Sequence, residues 1–132
     1  QIPCGIYNDE LRFDLMDEHI QTITKSITEI NALSANPTTN ANQIARWVAN
    51  KDEHADELAE IITAYFLQQR IKPVSGPDAV AWNDYVQQVV ACHKILVAAM
   101  KTKQSADVAT AEALQEALNT FRTLYLGEDD ES

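Results

Sequence analysis

The chain has 132 residues, of which 45% are hydrophobic and 23% charged, and its net charge is −10 at pH 7. These proportions exclude a disordered, collagen-like or multi-domain chain and predict one domain, which buries roughly two thirds of its unfolded surface without needing a disulfide. So large an excess of carboxylates argues against nucleic-acid binding, because few cations are available to displace counterions from phosphates. The longest mostly apolar run, 89–100, is interrupted by two polar residues and is too short to cross a bilayer.

The first two predicted helices occupy the amino-terminal half of the chain. The first runs from Asp9 to about Leu33, with regularly spaced apolar residues and acidic residues in its first turn, where the helix dipole favours them. The stretch 34–40 has the composition of a loop. A second, uninterrupted helix is then predicted from about Asn42 to about Ile71, with one apolar and one charged face.

The prolines at 73 and 77 end the second helix, because proline lacks an N–H donor and disfavours helical conformation at the residue before it. A third helix is predicted from Asp78 to about Lys101 and a fourth from Val108 to about Leu126. Residues 127–132 form an acidic tail that we expect to be solvated.

Four helices joined by short loops predict an all-α fold, an up-down-up-down four-helix bundle, because short connections make neighbouring helices antiparallel. We expect residues 1–132 to form a single domain. Residues 1–8 precede the first helix as a non-helical N-terminal hook, and residues 127–132 are the tail.

Two cysteines, Cys4 and Cys92, are too few for a disulfide-rich secreted scaffold, which favours a reducing, cytoplasmic location over a disulfide between them. The chain begins with Gln1 rather than Met and shows no basic or apolar leader region. We therefore expect it to have been processed or to be incomplete at its front.

The helices themselves offer little catalytic chemistry. The Glu-x-x-His pairs that mark di-iron bundles are absent, since His19 and His54 each follow a Glu directly. Glu57 can share a helical face with His54, but a lone His near an acid is more often a solvated pair than a functional site. Cys92 is expected to be a core thiol, and the adjacent His93 points about 100° away from it on a helix.

The hook holds a more unusual combination of residues. Within seven positions it contains a rigid proline, Pro3, the thiol of Cys4, a flexible glycine, Gly5, and an aromatic ring, Tyr7. From spacing alone, an arm that docks its apolar residues on the bundle is favoured over a functional site.

The segment 1–7 resembles the start of the nickel-containing superoxide dismutases, whose mature chains begin His-Cys-x-x-Pro-Cys-Gly-x-Tyr. Gln1-Ile2-Pro3-Cys4-Gly5-Ile6-Tyr7 matches that motif from its third position. The stretches 12–14, 44–48 and 65–73 also resemble the family, in particular its cyanobacterial branch, and the four-helix pattern extends the likeness in architecture to the whole chain.

The resemblance implies a nickel ion bound near the amino terminus. In the family, the metal is held by the N-terminal amine, a backbone amide, two thiolates and an axial imidazole. Cys4 would be the second thiolate, and the His-Cys pair that supplies the other donors is expected to precede Gln1 in the mature protein. Thiolate and amide donors bring the Ni(III)/Ni(II) couple into the range needed to oxidise and reduce superoxide.

Further site residues follow from the same resemblance. Tyr7 and Tyr65 would flank the open face of the metal as catalytic residues, although Tyr65 also fits an apolar packing stripe. Asp14 would be the carboxylate that orients the axial imidazole. The cations with which the family steers anions are not matched, and Arg70 or Lys72 would have to substitute for them.

The predicted function is therefore that of a superoxide dismutase, with nickel as cofactor, superoxide as substrate and a homohexamer as the assembly. The alternative is a non-enzymatic helical scaffold or binding protein, whose N-terminal arm docks on a neighbouring subunit. Redox sensing by Cys4 is a weaker third hypothesis, because no cation lies nearby in sequence to lower its pKa.

Overall fold

The computed structural model describes residues 5–127, which form an all-α bundle. Its helices are α1 (Asp9–Leu33), α2 (Ala41–Glu60), α3 (Ala79–Gln104) and α4 (Val108–Leu126), and a π-helical segment (Ile61–Arg70) continues α2 without a break. Each helix packs mainly against its neighbours in chain order, and α4 closes the bundle against α1. The predicted four-helix bundle is confirmed, and residues 5–127 contain no strand.

Side chains cap three of the four helices. The carboxamide of Asn8 accepts a hydrogen bond from the Leu11 amide at the start of α1. Asp78 accepts from two amides of α3, and Asp107 accepts from Ala109 at the start of α4. Because these residues satisfy donors that have no partner inside the helix, they explain why α1 and α4 begin where the sequence predicts.

The predicted second helix is correct in extent but wrong in kind, since its last ten residues are π-helical rather than α-helical. Apolar residues at 61, 62, 65 and 66 place a buried face on this segment in either geometry, so hydrophobic periodicity does not separate the two. The third helix also runs three residues beyond Lys101, where the buried Thr102 hydroxyl donates to the carbonyl of Ala99.

The core is a single cluster of apolar side chains contributed by all four helices. Toward the end where α1 begins and α4 ends, it becomes aromatic: Phe13, Phe66, Phe121 and Tyr125 stack with ring centroids 5.1–6.1 Å apart. We call this end of the molecule the hook end. In the described part of the chain, no helix combines the length and apolar character needed to cross a membrane.

Candidate active site

The hook end is organised around one carboxylate, that of Asp9 in the first turn of α1. The Arg70 guanidinium donates to both Asp9 oxygens, with Nε 3.0 Å from Oδ1 and Nη2 2.9 Å from Oδ2. The Tyr125 hydroxyl donates to Oδ2 at 3.0 Å, and the Tyr65 hydroxyl donates to Oδ1. Three elements, α1, the π segment and α4, are thereby joined through four side chains.

These contacts set the charge of each group. Burial opposes ionisation of Asp9, but hydrogen bonds from Arg70, Tyr65 and Tyr125 together outweigh it, so the pKa of Asp9 lies below its usual 3.8. Burial and the hydrogen bond to Asp9 raise the pKa of Tyr65 and of Tyr125 to about 12. At neutral pH the site therefore holds one carboxylate, one guanidinium and two neutral phenols.

Tyr7 closes over this network from the hook. Its ring meets that of Tyr65 edge-on, with centroids 6.2 Å apart, and the guanidinium carbon of Arg70 lies 4.2 Å from its ring centre. The structure thus brings together the two tyrosines that the sequence singled out. Stacking of an arginine on an aromatic face stabilises such a contact without neutralising the charge.

A second cation, Arg12, reaches the same site. Its guanidinium carbon lies 4.6 Å from the ring centre of Tyr65, and within residues 5–127 it forms no ion pair. Arg70, which the sequence analysis offered for anion steering, is already paired with Asp9, and the Lys72 amine donates to the backbone carbonyl of Gln69. Arg12 is therefore the better placed cation for attracting an anion.

The π-helical geometry explains how Tyr65 and Arg70 reach the same carboxylate. The two residues are five positions apart, and on an α-helix that spacing would place them about 140° apart around the axis. In a π-helix, whose wider turns join residues i and i+5 by hydrogen bonds, the angle between such residues is smaller. The amide of Ile71 donates to the carbonyl of Phe66 at 2.8 Å with the same spacing. Departure from α-helical geometry thus places both side chains on Asp9.

One predicted site residue, Asp14, lies apart from this network, whereas Cys4 lies outside the described residues. Asp14 is 67% exposed, and its Oδ1 lies 3.2 Å from Nη2 of Arg122. Asp9, which the sequence indicates only as a helix-dipole residue, is instead the carboxylate that contacts Arg70 and two tyrosines. Its position in the first turn, beside the hook, was the available signal.

Two other predictions about titratable groups can be compared with the structure. Cys92 is fully buried and free, as expected, and burial raises the pKa of its thiol to about 12. His54 and Glu57, expected to be a solvated pair, have a third neighbour, because Nδ1 of His54 contacts Nδ1 of His19 across the α1–α2 interface. In residues 5–127, His19, His54 and Glu57 are the one group of side chains arranged closely enough to share a metal ion.

Comparison with known proteins completes the description of the site. The family model for nickel-containing superoxide dismutases matches residues 1–128. No individual curated protein and no solved structure gives a match. Because the family match spans nearly the whole chain, including both Cys4 and the Asp9 network, the protein belongs to the nickel-containing superoxide dismutases and is an oxidoreductase with nickel as its cofactor.

Proposed function

We propose that the protein disproportionates superoxide at a nickel ion held near its amino terminus, with Cys4 as a thiolate ligand. Two superoxide ions and two protons give one molecule of oxygen and one of hydrogen peroxide. The observation that supports this location most directly is the seat of Tyr7 on Tyr65 and Arg70. Cys4 is three residues from Tyr7 in the sequence, and three residues span at most about 11 Å between Cα atoms.

The donor chemistry of the hook suits the metal. Thiolate sulfur is a soft donor, and square-planar coordination by sulfur and nitrogen is typical of Ni(II). Cys4 supplies one such donor, whereas the buried thiol of Cys92 is protonated and lies in the core. When bound, nickel supplies the one-electron couple that alternately oxidises and reduces superoxide.

The residues of the hook end would shape the approach to that metal. Tyr7 and Tyr65 would exclude bulky anions from the metal and order the waters that deliver protons to the product peroxide. The Tyr65 proton is directed at Asp9, so this carboxylate fixes the orientation of the phenol. We assign Asp9 the role of positioning Tyr65; Asp14, which the resemblance suggests as the carboxylate that orients the axial imidazole, is exposed and pairs with Arg122.

Electrostatic attraction of the substrate needs a local source in a protein of net charge −10. Arg12 and Arg70 place two guanidinium groups against the two tyrosine rings. Of these two guanidinium groups, only that of Arg70 forms an ion pair with a described residue, Asp9. Arg12 therefore provides a positive field at the point where superoxide would enter, and such local fields raise the rate of anion encounter.

We further propose that the protein is a cytoplasmic homohexamer. Several apolar side chains at or near the hook end are exposed, including Ile6 (66%), Leu11 (45%), Val80 (71%) and Trp82 (51%). Neighbouring subunits would bury such residues. The free thiol of Cys92 is compatible with a reducing compartment. Sedimentation that shows only monomer at micromolar concentration would contradict the assembly.

X-ray absorption at the nickel edge tests the location of the metal. With Cys4 as a ligand, nickel in the natural protein must have sulfur among its nearest neighbours. A coordination shell of nitrogen and oxygen alone would place nickel elsewhere and overturn the proposal. The Cys92→Ser variant is a suitable control: Cys92 is buried in the core, so the nickel spectrum should not change when its sulfur is removed.

A further inference from the structure

A second group of potential metal ligands lies on the α1–α2 interface, away from the hook. Nδ1 of His19 is 2.8 Å from Nδ1 of His54, and it is 3.7 Å from Oε2 of Glu57. One ligand atom from each of the three residues lies within 4.8 Å of the other two. His19 is ten residues after Asp9, which corresponds to about 15 Å along α1. We propose that His19, His54 and Glu57 form a second metal site, for a divalent transition-metal ion such as Zn²⁺, distinct from the nickel site.

The spacing of the ligand atoms suits a single ion. Bonds of about 2.0–2.1 Å from zinc to two imidazole nitrogens place those nitrogens roughly 3.4 Å apart at the tetrahedral angle, and about 2.9 Å apart at a right angle. The Nδ1 atoms stand 2.8 Å apart, so small side-chain rotations open the pair to this range. Both imidazoles would then carry their proton on Nε2 and present a lone pair to the ion.

The helices hold these ligands in place. His54 and Glu57 are three residues apart on α2 and thus share one face, whereas His19 comes from α1. The neighbours Ile20 and Ala55 are buried in the core and anchor both helices. An ion bound here would link α1 to α2.

Exposure and charge also favour a cation. The His19 side chain is 15% exposed, and that of Glu57 is 49% exposed, so the site is closed on the imidazole side and open to solvent on the carboxylate side. An imidazole that coordinates an ion through Nδ1 is uncharged, so Glu57 would be the negatively charged ligand. Three protein ligands would leave a fourth position for water, which is the arrangement of open rather than closed zinc sites.

The ligand types distinguish this site from the nickel site. Imidazole and carboxylate ligands suit ions of intermediate softness such as Zn²⁺, whereas thiolate ligands favour softer ions. The second site therefore requires neither Cys4 nor the hook. A test of the second site can therefore fail or succeed whether or not nickel is bound at the hook.

The test is calorimetric titration of the nickel-containing protein with Zn²⁺ alone. We expect one additional Zn²⁺ per chain, with nickel content unchanged, and His19→Gln or His54→Gln should weaken Zn²⁺ binding at least about tenfold. His93→Gln is the matched control, because His93 is an exposed helical histidine outside the group. The circular dichroism spectra should show that all variants remain helical.

Two further readouts make the result decisive. Zn²⁺ should raise the unfolding temperature of the wild type and of His93→Gln but not that of His19→Gln, because an ion that binds the folded state stabilises it. Co²⁺ in the same site should give visible bands without thiolate-to-metal charge transfer. Equal Zn²⁺ affinity in His19→Gln and His93→Gln, or no binding tighter than about 1 mM, would overturn the proposal.

Discussion

A single carboxylate, Asp9, accepts hydrogen bonds from one guanidinium and two phenols at the hook end. Hydrogen bonds to an ionised group are stronger than those between neutral groups, and the Arg70 contact is bidentate. Two of the donors, Tyr65 and Arg70, also contact Tyr7. The position of the hook's aromatic ring therefore depends on the charge of one side chain.

Replacing Asp9 by Asn should destabilise the protein by about 1–3 kcal/mol, because Arg70 would lose its counter-charge in a partly buried position. Since folding lowers the pKa of Asp9, its contribution to stability is present above pH 3.8 and is lost as the pH falls through the lowered value. Urea unfolding between pH 3 and 7 should show a smaller acid loss in Asp9→Asn than in wild type. The exposed Asp14→Asn variant, which should change stability little, is the control.

Tyr65→Phe should lower dismutase activity on the order of tenfold or more, because the phenol oxygen would no longer order the water that delivers a proton. Stability should fall by only about 1 kcal/mol, since one hydrogen bond to Asp9 is lost while the ring remains. Tyr85→Phe removes a hydroxyl from a ring that packs on Trp82 and serves as the control. Equal activity in the two variants would mean that the Tyr65 hydroxyl takes no part in the chemistry.

Arg12→Gln should reduce the second-order rate constant with superoxide several-fold and weaken its dependence on ionic strength, because a local positive field would be removed. Arg46→Gln removes the same charge from an exposed position on α2, where Arg46 contacts Gln43. Rate constants measured over a range of salt concentrations separate the two variants. If both gave the same salt dependence, net charge rather than the position of Arg12 would govern the encounter.

The difference between Asp9 and Asp14 shows what the sequence could and could not predict at this scale. Tyr7 and Tyr65 were identifiable from the resemblance, and the structure places them in contact. The contacts of Asp9 depend on donors 56, 61 and 116 residues away in the chain. No local spacing encodes such long-range geometry, so the sequence indicates Asp9 only as an acidic residue in the first turn of a helix.

At the scale of helices, the spacing of apolar residues predicted where α1 and α4 begin, and the structure shows a side-chain cap at both starts, whereas the π segment was not predicted. A cap is a local signal, since Asn8 and Asp107 act on amides two or three residues away. The π geometry aligns side chains on a partner in another helix and leaves the pattern of apolar residues unchanged. Its consequence for the site depends on Asp9, which belongs to a different helix from Tyr65 and Arg70.

The two caps predict different functional consequences for similar substitutions. Asn8→Ala and Asp107→Ala should each cost about 0.5–2 kcal/mol, because each leaves a helix amide without its acceptor. Only Asn8→Ala should also lower dismutase activity, since Asn8 lies between Tyr7 and Asp9. Thermal unfolding and activity per folded molecule, measured on both variants, test this. A comparable loss of activity in Asp107→Ala would contradict a site confined to the hook end.

In the molecule as a whole, the residues that stabilise the fold are separate from those of the proposed active site: the former lie in the helical bundle and the latter at the hook end. The aromatic layer of Phe13, Phe66 and Phe121 supports the Asp9 network from below. The rest of the core, including the fully buried Cys92, is apolar packing. Folding and chemistry should therefore respond to different substitutions, and the two cysteines provide the sharpest comparison.

Nickel content and dismutase activity of Cys4→Ser and Cys92→Ser, measured on the natural full-length protein, test the central claim most directly. Cys4→Ser should lose both nickel and activity while keeping its helical fold, because a hydroxyl cannot replace a thiolate as a soft donor. Cys92→Ser should keep nickel and activity per folded molecule but lose roughly 1–3 kcal/mol of stability, since a buried thiol is replaced by a hydroxyl. Retention of nickel and full activity in Cys4→Ser would contradict a nickel site at the hook.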